Sequence, residues 1–285
     1  GQRQRARAAT KGRFQAAEGV GDAIEGEHSR FVGYDDLEIE ARVVDAEIDE
    51  DGQVRVVLDQ TSFYAESGGQ VGDRGWLECD GRRVQIESVV KARGGIVHEG
   101  RLVSGDLPEP GASVRATVDA EARSSAARNH TATHLLHEAL RQTLGDHVSQ
   151  MGSLVEPERL RFDFSHFHAM ESGQLQQVEQ IVNERIRDDL EVSTFEDDLE
   201  RAKQMGAQAL FGERYDDRVR VVKIGDFSLE LCGGTHVAHT GEIGLFDLSV
   251  ESGIAAGTRR VEALTGAGAE AAARQHRDLL GEIGR

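Results

Sequence analysis

Short runs of alternating apolar and polar residues follow one another through the first part of the chain, beginning near residue 31. Five of them are rich in Val, Ile and Leu and have the length of β-strands: residues 41–48, 54–58, 76–78, 84–90 and 113–118. Pairs such as Asp51-Gly52 and Asp80-Gly81 separate neighbouring runs and are typical of tight turns. Because the runs are short, closely spaced and nearly free of helical pattern, we predict a small antiparallel β-barrel.

From residue 119 onward the apolar positions recur at intervals of three and four, which is the period of an amphipathic helix. Two long helices are predicted, over residues 121–144 and 171–189, and Asp119 is a candidate N-cap for the first. Strand-like runs accompany them at 148–155, 160–164, 192–195, 219–224, 227–231, 243–250 and 257–263, with helical turns from 196 to 210. We therefore predict an α+β fold, in which the barrel is followed by an α/β-sandwich.

These patterns divide the chain into four parts. Residues 1–30 begin with arginine- and alanine-rich helix formers and then become polar, so we predict a helical tail and linker there. The barrel follows at 31–118, the sandwich domain at 119–265, and the alanine-rich start of a further helix at 266–285. Because the first residue is Gly1 rather than methionine, we expect the chain to be part of a longer protein.

Acidic residues outnumber basic ones by 51 to 33, which gives a formal net charge of −18. Such a balance argues against a protein that coats nucleic acid nonspecifically, although a local basic cluster can still hold an RNA phosphate. The two cysteines, Cys79 and Cys232, indicate no disulfide framework and favour a reducing compartment. Since no apolar run approaches the roughly 18 residues of a membrane span, we predict a cytoplasmic protein.

Two separated segments carry side chains suited to a metal ion. His130 and His134 are four positions apart in the first predicted helix, so both imidazoles project from one face. Cys232 and His236 form a second pair, with two glycines between them, at the end of a predicted strand. Zinc prefers four tetrahedral nitrogen or sulfur ligands, which these residues would provide. A histidine pair alone is common on solvated helices, but a glycine-flanked Cys-x-x-x-His is hard to explain as packing.

The neighbours of the histidine pair limit the chemistry. A zinc protease of the His-Glu-x-x-His type needs a glutamate after the first histidine, and Thr131 occupies that position. His137 lies three residues beyond His134 on the same face. We expect His137 beside the metal ligands or on the surface, because four donors are already present.

A glycine-rich segment lies within the predicted barrel, at residues 63–75. Its four glycines in eight residues remove side chains where a backbone turns sharply or approaches another group closely. An ordinary tight loop between strands would have the same composition, so both interpretations stay open. It is not a nucleotide phosphate loop, because no Gly-Lys-Ser/Thr follows and no long helix begins after it.

Four motifs, in this order along the chain, resemble the editing domain of bacterial alanyl-tRNA synthetases. They are Ser67-Gly68-Gly69-Gln70 with Gly72-Asp73, residues 129–136 around the histidine pair, Cys232-Gly233-Gly234-Thr235-His236, and Gly257-Thr258-Arg259-Arg260. The resemblance covers about residues 31–266. Editing domains of threonyl-tRNA synthetases are similar only to the second half, so the glycine-rich barrel favours the alanyl branch, which includes free-standing editing proteins.

By this resemblance the chain would hydrolyse seryl-tRNA(Ala), and often glycyl-tRNA(Ala), at the acceptor end of the tRNA. The resemblance implies the following residue roles: Zn²⁺ ligands His130, His134, Cys232 and His236; catalytic residues Thr133 and Gln150 in the aminoacyl pocket; substrate-binding residues Gly68, Gly69, Gln70 and Arg259, with Arg259 at the terminal adenosine. Without the resemblance, Thr133 would be a helix residue facing the core, Gln150 a strand side chain and Arg259 the partner of a surface carboxylate.

Three functions remain compatible with the sequence. The first is the editing part of an alanyl-tRNA synthetase, with the rest of the enzyme in cis; the resemblance of residues 1–29 to the end of a preceding helical domain favours it. The second is a free-standing deacylase acting in trans, and the third is a zinc-stabilised module that binds an RNA end without catalysis. We expect zinc chiefly to shape the pocket, because four protein ligands leave no open coordination position.

Overall fold

The structure, a computed structural model, describes residues 29–92, 95–209 and 215–283. The predicted helical tail and linker therefore lie outside the described residues, apart from positions 29 and 30. The chain divides into two compact units. The first contains the described residues up to Glu66 together with Val71–Ala120, and the second contains Ser67–Gln70 together with the residues from Glu121 onward. Four residues of the glycine-rich segment thus belong to the second unit, whereas the domain boundaries near residues 118 and 265 stay predictions.

An antiparallel barrel closes within the described part of the first unit, in the strand order β2-β3-β7-β6-β5-β8. The strands of this unit are β1 (Arg30–Phe31), β2 (Glu38–Ile48), β3 (Gln53–Leu58), β4 (Gln60–Thr61), β5 (Gly75–Cys79), β6 (Arg82–Ala92), β7 (Gly95–Ser104) and β8 (Ser113–Val118). β1 and β4 lie outside the barrel and pair with each other in parallel. The predicted small antiparallel barrel is confirmed.

Alternation along the strands fills this barrel, because every second side chain of a strand points to the same face. In β8, the buried residues Val114, Ala116 and Val118 alternate with more exposed ones. Four larger side chains of the same core are Leu58, Phe63, Leu77 and Ile86.

β7 is a ten-residue strand that the apolar pattern did not predict. Its centre is His98-Glu99-Gly100, where two ionisable residues and a glycine interrupt the apolar run. His98 is nonetheless fully buried, because its Nδ1 lies 3.0 Å from the carbonyl oxygen of Val56 and its Nε2 lies 2.7 Å from Thr61 Oγ1. A buried imidazole with both nitrogens hydrogen-bonded is compatible with a central strand.

The described part of the second unit contains two antiparallel sheets with helices packed against them. One sheet has the strand order β14-β15-β10-β9 and the other β11-β12-β13. The strands are β9 (Gln150–Val155), β10 (Leu160–Ser165), β11 (Val192–Asp198), β12 (Arg218–Ile224), β13 (Ser228–Leu231), β14 (Phe246–Ala255) and β15 (Thr258–Thr265). The helices are α1 (Ala120–Leu144), α2 (Ser172–Arg187), α3 (Leu199–Gln204) and α4 (Gly266–Ile283), and a 3₁₀ turn covers Thr240–Ile243.

One apolar core joins α1 and α2 to these sheets. Its fully buried members include Leu135, Leu136 and Leu140 of α1, Val178 and Val182 of α2, and Phe162 and Phe164 of β10. The apolar residues of α1 and α2 in this core are the positions that gave the two predicted helices their period. The α+β class is therefore confirmed, and the long helix α1 is held firmly against the sheets.

Two elements differ by more than three residues from their predicted extent. β14 continues to Ala255, five residues past its predicted end at residue 250. The apolar pattern did not reveal this extension, because Gly253 interrupts the pattern and the pairing with β15 shifts register twice. α3 ends at Gln204, because Gly206 adopts a φ of +90° that a helix does not allow. Residues 205–209 form a turn and a bridge from Gln208 to Glu230, so the prediction of helical turns there is wrong, and residue 210 lies outside the described residues. In the parts of the chain that the structure describes, no helix has both the length and the apolar character needed to cross a membrane.

Candidate metal centre

Helix α1 presents His130 and His134 from one face, as their spacing of four predicts. Their rings stack nearly in parallel, with centroids 5.4 Å apart and an interplanar angle of 4°. The second pair comes from the loop after β13. The His236 ring lies 4.5 Å from the His130 ring and 5.0 Å from the His134 ring, measured between centroids. The structure thus brings both halves of the predicted ligand set together.

The four potential ligand atoms converge on one point. One donor atom each from His130, His134, Cys232 and His236 lies within 4.8 Å of the other three. Cys232 Sγ is 3.3 Å from His130 Nε2 and 3.4 Å from His236 Nε2. In a tetrahedral zinc site, bonds of about 2.0 to 2.3 Å place neighbouring donors about 3.3 to 3.6 Å apart. The two distances from Cys232 Sγ therefore match those of a zinc site.

A buried atom without a partner supports the same interpretation. Among the described residues, no side chain or backbone group forms a hydrogen bond with the buried Nε2 atom of His134. A buried polar atom left unpaired costs about 1 to 3 kcal/mol, so such atoms normally have a partner or a ligand. Nε2 is also the atom through which imidazole commonly binds a metal. The donor set fits a metal ion at this position.

Gly234 is required for the approach of the loop to α1. A Cβ atom at this position would lie 2.0 Å from His130 Cε1 and 2.2 Å from His130 Nδ1, far inside van der Waals contact. Arg220 stabilises the turn, since its Nη1 donates hydrogen bonds to the carbonyl oxygens of Cys232 (3.0 Å) and Gly234 (2.9 Å). The Gly234 N–H in turn donates to Cys232 Sγ at 3.4 Å. The loop is thereby fixed with its sulfur directed at the histidines.

Each histidine also has an acceptor for its Nδ1 proton. His130 Nδ1 lies 2.7 Å from Gln70 Oε1, an oxygen that also accepts from the backbone N–H of Thr235 at 2.9 Å. His134 Nδ1 lies 2.8 Å from Glu230 Oε2. His236 Nδ1 lies 3.1 Å from the Oγ1 atom of a threonine on α1, Thr131. A proton held on each Nδ1 leaves the lone pair of each Nε2 available for a metal.

The electrostatics of the cluster's own side chains favour the metal-binding forms of Cys232 and His236. Burial would raise the pKa of Cys232, but His130 and His236 hold that pKa well below its usual value, so the thiolate is favoured. Burial, together with the charge of His130, lowers the pKa of His236 to about 3 and keeps this imidazole neutral. Burial opposes charge on His134 as well, but the carboxylate of Glu230 and the sulfur of Cys232 raise its pKa to about 10. A thiolate and a neutral imidazole are the metal-binding forms, so Cys232 and His236 are already in those forms, whereas a metal ion must displace a proton from Nε2 of His134.

Residues 69 and 70 of the glycine-rich segment, which belong to the second unit, lie against strand β9 and the cluster respectively. Gly69 has a φ of +84°, its carbonyl oxygen accepts from the Val155 N–H at 2.8 Å, and a Cβ would meet Ser153 Oγ at 2.2 Å. Gly68 has a φ of +58° and open space around its missing Cβ. Gln70 is fully buried, and its Nε2 donates to Thr235 Oγ1 at 2.9 Å. The segment is therefore more than a surface turn, and the substrate contacts of Gly68, Gly69 and Gln70 stay predictions.

The other three predicted site residues, Thr133, Gln150 and Arg259, each bond a different partner within the protein. Thr133 of α1 is buried, and its Oγ1 donates to the Asn129 carbonyl oxygen at 2.8 Å. Gln150, at the start of β9, is half-buried and donates from Nε2 to Ser153 Oγ at 2.9 Å. Arg259 of β15 forms an ion pair with Glu251 at 2.5 Å. The carboxylate partner expected for Arg259 without the resemblance is thus present, and the roles of all three residues in an aminoacyl pocket stay predictions.

Sequence reasoning missed Glu230 and left His137 open between two positions. Glu230 lies on β13 with 3% of its surface exposed, and its Oε1 is 3.0 Å from Nδ1 of His137, which is also buried. The available signal was the run Ser-Leu-Glu-Leu just before Cys232: a lone carboxylate in a strand whose neighbours are apolar needs a buried cationic or donor partner.

Two family models match this chain. Residues 1–122 match the model described as tRNA synthetases class II (A), and residues 219–262 match the one described as Threonyl and Alanyl tRNA synthetase second additional domain. The second match contains Glu230, Cys232 and His236. Both matches are to tRNA synthetase families.

Its relatives identify the branch. The chain is 51% identical over 279 residues to the alanine–tRNA ligase of Bacillus velezensis, covering 94% of this chain and 32% of that protein. It is 50% identical to the alanine–tRNA ligase of Shewanella amazonensis (98% of this chain, 33% of the relative) and 52% identical to that of Chromohalobacter salexigens (94% and 32%). The chain belongs to the alanine–tRNA ligase family and spans about a third of the length of these relatives. The resemblance noted from the motifs is confirmed.

Proposed function

We propose that this chain is the editing part of an alanyl-tRNA synthetase and hydrolyses the ester bond of seryl-tRNA(Ala), with glycyl-tRNA(Ala) as the second candidate substrate. The observation that carries the proposal is the convergence of four ligand atoms from α1 and the loop after β13 to within 4.8 Å of one another. Membership of the alanine–tRNA ligase family and the match to the second additional domain support it.

We further propose that the cluster holds zinc. Three imidazole nitrogens and one thiolate, with two sulfur–nitrogen distances of 3.3 and 3.4 Å, form a donor set that zinc prefers. When bound, zinc would supply Lewis-acid stabilisation of negative charge and would tie α1 to the loop after β13. His130, His134 and His236 each donate from Nδ1 to a protein acceptor, which holds the three rings in a fixed orientation. A thiolate ligand also suits the reducing cytoplasm that we propose for this protein.

A second site is needed because a pocket shaped for alanine cannot strongly reject serine, whose side chain adds only one hydroxyl. An editing pocket reverses this selection if it pairs that hydroxyl with a buried polar group. An alanyl ester would then leave the group unpaired, at a cost of about 1 to 3 kcal/mol. This cost corresponds to hydrolysis of the alanyl ester that is roughly tenfold to a hundredfold slower than hydrolysis of the seryl ester.

We assign this selection to Thr133 and Gln150. The Thr133 hydroxyl donates its proton to the Asn129 carbonyl oxygen, so its own oxygen can accept a hydrogen bond from a seryl hydroxyl. Gln150 uses its amide nitrogen to bond Ser153, which leaves its Oε1 atom as a further acceptor. The aminoacyl ester is already reactive, so hydrolysis depends mainly on holding it in position and stabilising the developing oxyanion.

The test uses the 285-residue chain with tRNA(Ala) charged separately with serine, glycine or alanine. We expect release of serine at least tenfold faster than release of alanine, together with about one zinc ion per chain. Thr133→Ala should slow serine release, whereas Thr143→Ala, the same change ten residues further along α1, should not. Equal release of serine and alanine would contradict the proposal. Protection of the ester without hydrolysis would instead indicate a module that only binds the RNA end.

The acceptor end of tRNA(Ala) is the proposed partner, with the rest of the synthetase in cis. The net charge of −18 predicts weak binding of tRNA by this chain alone, because a surplus of acidic side chains repels the phosphate backbone. Affinity should fall further as salt concentration rises. A tight complex that is insensitive to salt would contradict this expectation.

A further inference from the structure

The carboxylate of Glu230 lies between two imidazoles from the same helix. Its Oε2 is 2.8 Å from His134 Nδ1 and its Oε1 is 3.0 Å from His137 Nδ1. All three side chains are at least 93% buried. Glu230 therefore uses both oxygens in an interior where it has little access to water.

The arrangement follows from the elements that carry the residues. His134 and His137 are three positions apart on α1, so their side chains lie on one face and a single carboxylate can reach both. Glu230 comes from β13, two residues before Cys232. It contacts Nδ1 of His134 and so lies on the opposite side of that ring from the cluster of ligand atoms. A buried carboxylate is tolerated only when it is paired and hydrogen-bonded, and the two imidazoles satisfy this requirement.

We propose that Glu230 is a positioning residue of the metal centre: it fixes the ring orientation and the tautomer of His134, and His137 holds the carboxylate in place. The inference rests on the proposed zinc site. A proton held on Nδ1 of His134 directs the lone pair of Nε2 toward the ion, and an anionic acceptor makes that nitrogen a stronger donor to the metal.

Glu230 differs from the other two acceptors in charge. His130 has the neutral amide of Gln70, and His236 has the neutral hydroxyl of Thr131. Of these three acceptors, only Glu230 brings a full negative charge to its histidine. The effect of removing it on metal affinity should therefore exceed the effect of removing either neutral acceptor.

The experiment compares Glu230→Gln with Asp163→Asn in the 285-residue chain. Asp163 is a matched control, because it is a buried carboxylate of the same unit that bonds Arg260 at 2.7 and 2.8 Å. Zinc affinity is measured by competition with a chromophoric chelator, and the ligand geometry by the visible absorption of bound Co²⁺. We expect Glu230→Gln to weaken zinc binding about 10- to 100-fold and to alter the Co²⁺ spectrum. Asp163→Asn should change the zinc affinity less than about threefold and leave the Co²⁺ spectrum unchanged, because this variant keeps the hydrogen bond between Glu230 and His134.

The amide of Glu230→Gln is a strict test for a physical reason. It keeps the shape of the side chain, but its NH₂ group faces one of the two imidazole N–H groups and cannot accept from it. A second readout needs no variant: in the zinc-loaded wild type, the Nδ1 proton of His134 should give a slowly exchanging, strongly downfield resonance in the NMR spectrum. This readout keeps the proposal testable even if Glu230→Gln folds poorly.

The outcomes separate this inference from the proposed function. Wild-type zinc affinity in folded Glu230→Gln, or the absence of a hydrogen-bonded Nδ1 proton on His134, would overturn the role of Glu230 while leaving the zinc site intact. A wild-type chain that binds no zinc would overturn the metal centre and this inference together. A loss of stability in Glu230→Gln with unchanged zinc affinity of the folded protein would show a purely structural ion pair and would also overturn it.

Discussion

Replacing Gly234 by alanine should damage the metal centre, whereas the same change at the adjacent Gly233 should not. A Cβ at Gly234 would lie 2.0 Å from His130 Cε1, and a Cβ at Gly233 would meet no heavy atom within 4 Å. Both glycines have φ outside the left-handed region, so alanine can adopt either backbone conformation. The two variants therefore differ in one respect, the contact with His130.

The magnitude follows from that contact. Carbon atoms in contact are normally about 3.5 Å or more apart, so the His130 ring must move by about 1.5 Å. This movement breaks its 2.7 Å hydrogen bond to Gln70 Oε1 and displaces Nε2 from its position 3.3 Å from Cys232 Sγ. Overpacking costs about 1 to 3 kcal/mol, and the buried groups left unpaired cost about 1 to 3 kcal/mol more. We expect Gly234→Ala to lower the free energy of unfolding by about 2 to 6 kcal/mol and Gly233→Ala to change it by less than about 0.5 kcal/mol.

Urea unfolding followed by circular dichroism measures the stability of both variants, with zinc and with a chelator present. In the wild type, zinc should raise the free energy of unfolding, because a ligand that binds only the folded state stabilises it. This increment should be largely absent in Gly234→Ala and retained in Gly233→Ala. If the two variants have the same stability and the same zinc increment, the close approach of the loop to His130 is not what shapes the site.

Three further predictions concern single side chains. Cys232→Ala should reduce zinc content from about one ion per chain to near zero and abolish serine release; metal loss with unchanged deacylation would refute the assignment. Thr133→Ala should slow serine release about tenfold to a hundredfold relative to Thr143→Ala, measured with seryl-tRNA(Ala), and equal rates would refute its role. Burial lowers the pKa of His98 from 6.5 to about 4. Between these two pH values the unfolded state binds more protons than the folded state does. The stability contributed by neutral His98 is therefore present above pH 6.5 and is lost as the pH falls toward 4. Urea unfolding at pH 7.5 and 5.0 should therefore show a loss of about 2 kcal/mol that His98→Gln does not show; equal losses in both proteins would contradict this sign.

The elements that the sequence predicted well are those in which one physical signal dominates. α1 has a long apolar period, and its buried residues Leu135, Leu136 and Leu140 are the ones that produced it. β8 alternates cleanly because only one of its faces is buried. β7 was missed because His98 is buried by virtue of partners on other strands, Thr61 and Val56, and a pattern read along one segment cannot contain that information.

The candidate site divides in the same way. The four proposed ligands could be found because two short motifs fix their spacing, and the chemistry of zinc asks for four such donors. Glu230 could not be found, since its role depends on a pairing across the fold with His134 and His137. Nor did the glycine-rich motif indicate that Gln70 is turned inward to His130 rather than outward to solvent.

The hydrogen bonds of the three histidines explain why a motif in the barrel region of the sequence accompanies motifs far along the chain. Gln70 lies 60 residues before His130 and 165 before Thr235, yet its side-chain oxygen accepts from both, and the segment Ser67–Gln70 belongs to the second compact unit. Gly69 permits this placement because any side chain there would collide with Ser153. The Ser-Gly-Gly-Gln motif therefore contacts Nδ1 of the proposed ligand His130, as Glu230 contacts Nδ1 of the proposed ligand His134. Replacing Gln70 by leucine would keep much of the packing but leave the His130 Nδ1 proton without its acceptor, so it should weaken metal binding more than it destabilises the fold.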